Sequence, residues 1–258
     1  MHKNIKCIVC GNEGIFIKQA GHHLVSAKRW NIIKCRDCGL EFCGPMPSAI
    51  QLNQFYKNYT DVRAAAEVLI ANGKKNINRL KRYGIDKGSR LLDFGCGTGV
   101  FTQLGGKLWE KYDRYTCDNP DLLKVGIYDC ITLWGVLEHV TDPVKTLEEM
   151  NCYLRPGGYV VLTTVSVETT IPYRHKPPEH VTFWTEHAIN ICFKKAGFEL
   201  LACEPYTMTQ KRDVYMGAIL RTVPLKLKRK IDFLKLPKMI KNLPTNEIFV
   251  VGRKRSRH

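Results

Sequence analysis

Four cysteines stand in two matching pairs, Cys7-x-x-Cys10 and Cys35-x-x-Cys38, with 24 residues between the pairs and a glycine, Gly11 or Gly39, directly after each. A C-x-x-C turn aims two sulfurs at one point, and Zn²⁺ takes four soft ligands tetrahedrally, so two such turns close a site. The spacing predicts a structural zinc ribbon whose ligands are Cys7, Cys10, Cys35 and Cys38, with no coordination position left open for chemistry. His22 and His23 lie between the pairs and are the less economical substitutes for one thiolate. The remaining cysteines are scattered singly, and the total of 11 is odd, which argues for reduced thiols rather than a disulfide framework.

The second cluster of chemistry is Leu91-Leu92-Asp93-Phe94-Gly95-Cys96-Gly97-Thr98-Gly99: an apolar strand carrying an acid, then three alternating glycines before a helix. A first βα turn of this kind is where doubly wound sheets bind nucleotides. The dinucleotide fingerprint needs a third glycine where Val100 stands, and Asp93 would repel a pyrophosphate, so NAD and FAD are disfavoured. A ligand with an adenosine moiety, a cationic centre and no phosphate fits better. S-adenosylmethionine (SAM) is that ligand.

With these residues in view, the chain resembles the class I SAM-dependent methyltransferases. The family's apolar strand followed by D/E-x-G-x-G-x-G stands here as Asp93 to Gly99, its strand-four segment as Tyr128 to Pro143, and the segment leading into its fifth strand as Leu154 to Val165. The resemblance implies that Gly95, Cys96, Gly97 and Gly99 wrap the methionine part of SAM. It also implies that Asp93 orients the amino group, that Asp118 holds the ribose hydroxyls and that Trp134 belongs to the cofactor side. Between Asp118 and Tyr128 lie only nine residues, too few for the usual helix, third strand and second helix. The crossover from strand two to strand four is therefore expected to be shortened, and Asp121 is a weak candidate for the adenine.

Two histidine clusters are placed to meet the acceptor. Glu138-His139 follows strand four, and His175-Lys176-Pro177-Pro178-Glu179-His180-Val181-Thr182-Phe183-Trp184 follows strand five, so both run over the carboxyl edge of the sheet. Imidazole suits proton removal near neutral pH. The combination of ribbon, core and E-H-x-x-F-[FW] loop is similar to sugar methyltransferases acting on nucleotide-linked deoxysugars. That likeness implies His180 as general base, with Glu179 assisting and His139 as the next candidate. Tyr56 and Tyr59 resemble the family's aromatic pair near the substrate entrance, or pack a helix onto the ribbon.

These groups need a scaffold. The sequence predicts a zinc ribbon over residues 1–48, a helical linker or cover over 49–87 and a methyltransferase domain over 88–258 with a basic insertion at 215–242. From Ser89 apolar runs alternate with amphipathic stretches: strands SRLLDF, DRYTC, YDCITLW, GYVVLTTV, FELLACEPY and NEIFVVGRK, and helices TGVFTQLGGKLW, DPVKTLEEMNCYL and TEHAINICFKKA. Such alternation predicts an α/β fold, a Rossmann-like parallel sheet with helices on both faces.

The net charge of +16 sits in the flanks, residues 1–87 and 207–258, while the middle is net acidic. The segment from Arg221 to Lys241 interleaves eight Lys/Arg with apolar residues, which suits a cover helix, an anionic membrane surface or RNA. No apolar run spans a membrane and the N-terminus lacks an apolar leader, so a cytoplasmic location is expected. The function expected is methyl transfer to an O or C atom of a small or carbohydrate-type acceptor. An rRNA or tRNA methyltransferase is the rival enzyme, and a non-catalytic ribbon module on a degenerate methyltransferase scaffold is the rival outside catalysis.

Overall fold

The computed structural model describes residues 5–21, 28–58, 65–114, 123–170, 175–214 and 237–256. Its main sheet has six strands in the order β10-β11-β8-β7-β5-β6. The strands are β5 (Leu91–Phe94), β6 (Trp109–Tyr112), β7 (Tyr128–Trp134), β8 (Leu154–Val165), β10 (Phe198–Lys211) and β11 (Met239–Lys254). The first four run parallel, and β11 is inserted antiparallel between β8 and β10. This is the Rossmann-like methyltransferase sheet without its third strand: among the described residues β6 is the edge strand, in keeping with the shortened crossover.

The apolar strands sort their side chains by parity. Leu92, Ile131, Leu133, Val160, Leu162 and Val250 point to one face, against α4 (Pro143–Tyr153) and α5 (Glu186–Lys195) through Leu147, Met150, Ile189 and Phe193. Leu91, Cys130, Val161, Phe249 and Val251 point to the other, against Ile77 and Leu80 of α2 (Ala66–Lys81) and against Phe101 and Trp109. Each large side chain buried in this way contributes about 1.5–3 kcal/mol. Asp142 starts α4 by accepting from Lys145 N, and Thr185 starts α5 by accepting from Ala188 N.

Two elements differ from the sequence expectation. The helix foreseen over TGVFTQLGGKLW is only α3 (Val100–Gln103), and the second strand is WEKY rather than DRYTC. Gly105 and Gly106 are the cause: a Cβ on Gly106 would lie 1.7 Å from the Lys87 carbonyl oxygen, so the chain turns there in close backbone contact. Trp109 then lays its ring on Phe101, 5.1 Å between centroids, and begins the strand about four residues early.

The N-terminal sheet is antiparallel, in the order β1-β2-β3-β4-β9: β1 (Ile5–Lys6), β2 (Glu13–Ala20), β3 (Trp30–Cys35), β4 (Glu41–Cys43) and β9 (Thr182–Phe183). The fifth strand thus comes from the loop after β8. Ribbon residues Val9, Ile33, Leu40 and Phe42 belong to the same apolar cluster as Ile189 and Phe193. Helix α1 (Ala49–Asn58) joins ribbon to core ahead of α2. No helix among the described residues is long and apolar enough to cross a membrane. Most of the basic insertion, residues 215–236, lies outside the described residues, as do His22, His23 and Tyr59.

Candidate functional site

The glycine loop leaves β5 and is pinned to the end of β6, where Tyr112 O accepts from Gly95 N (2.7 Å) and Cys96 N (3.1 Å). Gly95, Gly97 and Gly99 all hold positive φ, at 77°, 52° and 73°. A Cβ at Gly97 would meet nothing within 4 Å, so the loop presents open space and bare backbone on that side. The loop fits SAM: it offers room for a ligand, and its acids suit a cationic one.

Asp93 is buried, accepts from Thr132 Oγ1 at 2.7 Å, and is pushed up to about 7, first by burial and further by nearby Asp113. Asp113 stands directly after β6 and accepts from Gly97 N at 3.0 Å. It is the acid at the end of the second strand, the position that the sequence reading gave to Asp118. The four-residue displacement of that strand hid it. Asp118 and Asp121 lie outside the described residues. Trp134 ends β7, with its ring 5.2 Å from Phe101 and 6.4 Å from Phe249 in the apolar layer.

Across from the loop, β7 runs into a 3₁₀ turn, Leu137–His139. The turn abuts the glycine loop, because a Cβ on Gly95 would lie 2.5 Å from Val136. Glu138 is buried, accepts from Thr164 Oγ1 at 2.9 Å, and is pushed up to about 8 by burial. His139 Nδ1 lies 2.6 Å from the Glu179 carbonyl oxygen and 3.0 Å from Tyr56 Oη. Since a carbonyl only accepts, Nδ1 carries the proton and Nε2 the lone pair. His180 stacks edge-on to His139, 4.9 Å between ring centroids.

The Glu179 carboxylate stands beside two basic neighbours: Oε1 is 3.8 Å from His180 Nε2, an ion-pair separation longer than a hydrogen bond, and accepts from Lys176 Nζ at 2.7 Å. The Glu179 backbone carbonyl orients a second imidazole, that of His139. Tyr56 reaches the site from α1, while His175 turns away from it to meet Glu41 Oε2 at 2.8 Å, both residues buried.

That Glu41–His175 contact belongs to a set by which the ribbon grips the histidine loop. Cys43 N donates to Val181 O (3.0 Å), Thr185 Oγ1 donates to Cys38 O (2.6 Å), and β4 pairs with β9. In the ribbon itself Cys7 Sγ and Cys38 Sγ are 3.6 Å apart, Cys10 Sγ and Cys35 Sγ are 3.3 Å apart, and all four sulfurs lie within 4.8 Å of one another. Four thiols at those separations form a donor set fit for one tetrahedral Zn²⁺.

Residues 63–202 match the family model described as methyltransferase domain, more than half of the chain. The tRNA U34 carboxymethyltransferase of Citrifermentans bemidjiense is 27% identical over 160 residues, 49% of this chain and 50% of that protein. The ubiquinone biosynthesis O-methyltransferase of Aromatoleum aromaticum is 28% identical over 121 residues, 35% of this chain and 52% of that one. The chain thus spans about half the length of these curated relatives. A solved SAM-dependent methyltransferase of Thermotoga maritima is 15% identical with a TM-score of 0.47, covering 72% of this chain and 92% of its own. With its glycine loop, its sheet order and the match over residues 63–202 in agreement, the chain belongs to the class I SAM-dependent methyltransferase family.

Proposed function

We propose that this protein transfers a methyl group from SAM to an O or C atom of a small or carbohydrate-type acceptor, held between the glycine loop and the His139–His180 pair. The observation that supports the reading is the contact of Gly95 with Val136, next to the turn that carries His139, on which the His180 ring packs. Methyl transfer from a sulfonium is an in-line substitution, so alignment of the two partners does most of the work. In this reading Gly97 gives way to the methionine part, Asp93 and Asp113 face its cationic and hydroxyl groups, and His180, with His139 behind it, meets the acceptor's proton. The four ribbon cysteines hold one structural Zn²⁺, which supplies no open coordination position, and the ribbon keeps the histidine loop in place.

Calorimetric titration of the full chain with SAM tests the cofactor half. Wild type should bind, and Gly97→Val, whose side chain enters the open space at a φ of 52°, should weaken binding at least tenfold. Unchanged affinity in the variant would remove SAM from this loop.

RNA is the second reading, favoured by the +16 charge and by the name of the tRNA-modifying relative. Titration with tRNA at several salt concentrations separates the two, since a polyanion gripped by many Lys/Arg loses affinity steeply with salt. Tight, salt-steep binding would shift the acceptor to RNA.

A further inference from the structure

We propose that Glu138, His139 and His180 hold a divalent cation beside the cofactor loop, and that the acceptor binds this cation through two neighbouring oxygens. The proposal rests on the methyl-transfer reading and deepens it by naming how the acceptor is seized. One donor atom from each of the three residues lies within 4.8 Å of the other two. Among the described residues only one other group of metal-ligating side chains converges in this way, the four ribbon cysteines.

The outer partners are those a metal site needs. Ligating imidazoles are characteristically oriented by a carbonyl or carboxylate on the opposite ring nitrogen, and ligating carboxylates are themselves hydrogen-bonded. Both features are present. The Glu179 carbonyl accepts from His139 Nδ1, 2.6 Å from nitrogen to oxygen, which puts the ring's lone pair on Nε2. Thr164 Oγ1 donates to Glu138 Oε2 at 2.9 Å and fixes that carboxyl, which is only 3% exposed. Val181 N donates to the Glu138 carbonyl at 2.8 Å, so the segment carrying His180 is tied to the turn carrying the other two donors.

Two nitrogens and one oxygen, with no sulfur, form a set for Mn²⁺, Fe²⁺, Co²⁺ or Zn²⁺ rather than for a purely soft ion. Three protein ligands leave adjacent positions open, and adjacent positions suit an acceptor with paired oxygens: a vicinal diol, a hydroxy-ketone or an ortho-dihydroxy ring.

The chemistry then balances without an added oxidant or reductant. A hydroxyl bound to the cation becomes more acidic and loses its proton to water. A lone pair of the resulting oxyanion forms the new C–O bond while the methyl–sulfur bond breaks. Its electron pair stays on sulfur, leaving a neutral ether and a neutral thioether. The two imidazoles serve in that case as ligands.

Cobalt alone is the probe that tests this. The full chain, stripped of metal and saturated with SAM, is titrated with Co²⁺ and followed by absorption. The first equivalent should enter the ribbon and give intense thiolate-to-cobalt charge transfer in the near ultraviolet. A second should add only weak visible bands of a nitrogen and oxygen site. His180→Ala and Glu138→Gln should lose the second equivalent and keep the first, whose charge transfer doubles as the check that the ribbon is folded. The milder Thr164→Val should weaken the second site by about 10–100-fold. Saturation at one equivalent, or a second equivalent bound equally well by His180→Ala, overturns the proposal. The two readings fail separately: SAM binding with one cobalt refutes the metal alone, and a second cobalt in a chain that calorimetry shows unable to bind SAM refutes methyl transfer alone.

Discussion

The glycine-loop half and the histidine half of the candidate site meet at one edge of one sheet, yet they are built in opposite ways. The cofactor cradle is local: Asp93 to Gly99 are consecutive, and their backbone conformations follow from glycine placed after a buried strand. The histidine half is assembled from Tyr56 on α1, Glu138 and His139 on a 3₁₀ turn, and His180 on a loop paired with the ribbon. A site made of consecutive residues tolerates damage elsewhere. A site made of three distant segments depends on whatever holds those segments together, which here includes the ribbon.

The strongest way to break this contrast is to remove one of the ribbon's four thiols. Cys38→Ser should unfold the ribbon, because structural zinc sites in small domains supply on the order of 10 kcal/mol of folding energy. The loss should pass through β9 and the Thr185 cap, so hydrogen exchange should rise sharply over residues 180–185 while residues 91–100 stay protected. SAM affinity should persist. Equal protection loss in both halves would erase the distinction.

Next in size is His180→Ala. Turnover should fall by about 10²–10⁴-fold with SAM affinity nearly unchanged, the range for losing a group that acts on the acceptor in the transition state. A parallel loss of SAM binding, measured by calorimetry, would mean that the two halves are one unit.

Glu41→Leu probes the grip without touching either half. It removes the acceptor from a buried hydrogen bond, and losing one partner of such a bond costs about 1–3 kcal/mol. Denaturant melts should register the loss, and His175→Phe combined with Glu41→Leu should recover part of it, since an apolar pair of similar volume needs no partner.

The smallest effect belongs to the glycine-loop half and is read by pH. Burial raises Asp93 from 3.8 to about 7, so the folded protein keeps a proton that the unfolded chain has released. Its contribution to stability is complete below pH about 4 and is lost as the pH rises through about 7. A cationic ligand reverses the preference, because it favours the ionised carboxylate. SAM affinity should therefore increase by up to about tenfold between pH 6 and pH 8 and then level off. In Asp93→Asn the slope should vanish.

Much of this was legible beforehand, for identifiable reasons. The ribbon ligands and the glycine loop are short-range patterns whose chemistry depends on neighbours in sequence, and both stand where their spacing put them. The strand after the loop was misplaced because the apolar stretch GGKLW reads as the tail of a helix. Only the contact of Gly106 with the Lys87 carbonyl, 19 positions away, shows that the chain must turn there. Asp113 went unseen with it. That Lys176, one turn back, shares the Glu179 carboxylate with His180 was hidden for a related reason: adjacency in sequence suggests the Glu179–His180 pair alone.

By itself the sequence determined the four-thiol cluster, the glycine loop, the alternation that makes an α/β sheet, and the shortened crossover, since all of these are properties of composition and period along the chain. The tertiary structure alone decided which acid closes the glycine loop, which backbone carbonyl sets the tautomer of His139, that Glu138 joins two imidazoles, and that the ribbon shares a sheet with the histidine loop. Those are contacts between residues 16 to more than a hundred positions apart, and no local propensity encodes them. They exist because burying two faces of one sheet leaves the connecting loops a single edge on which to meet.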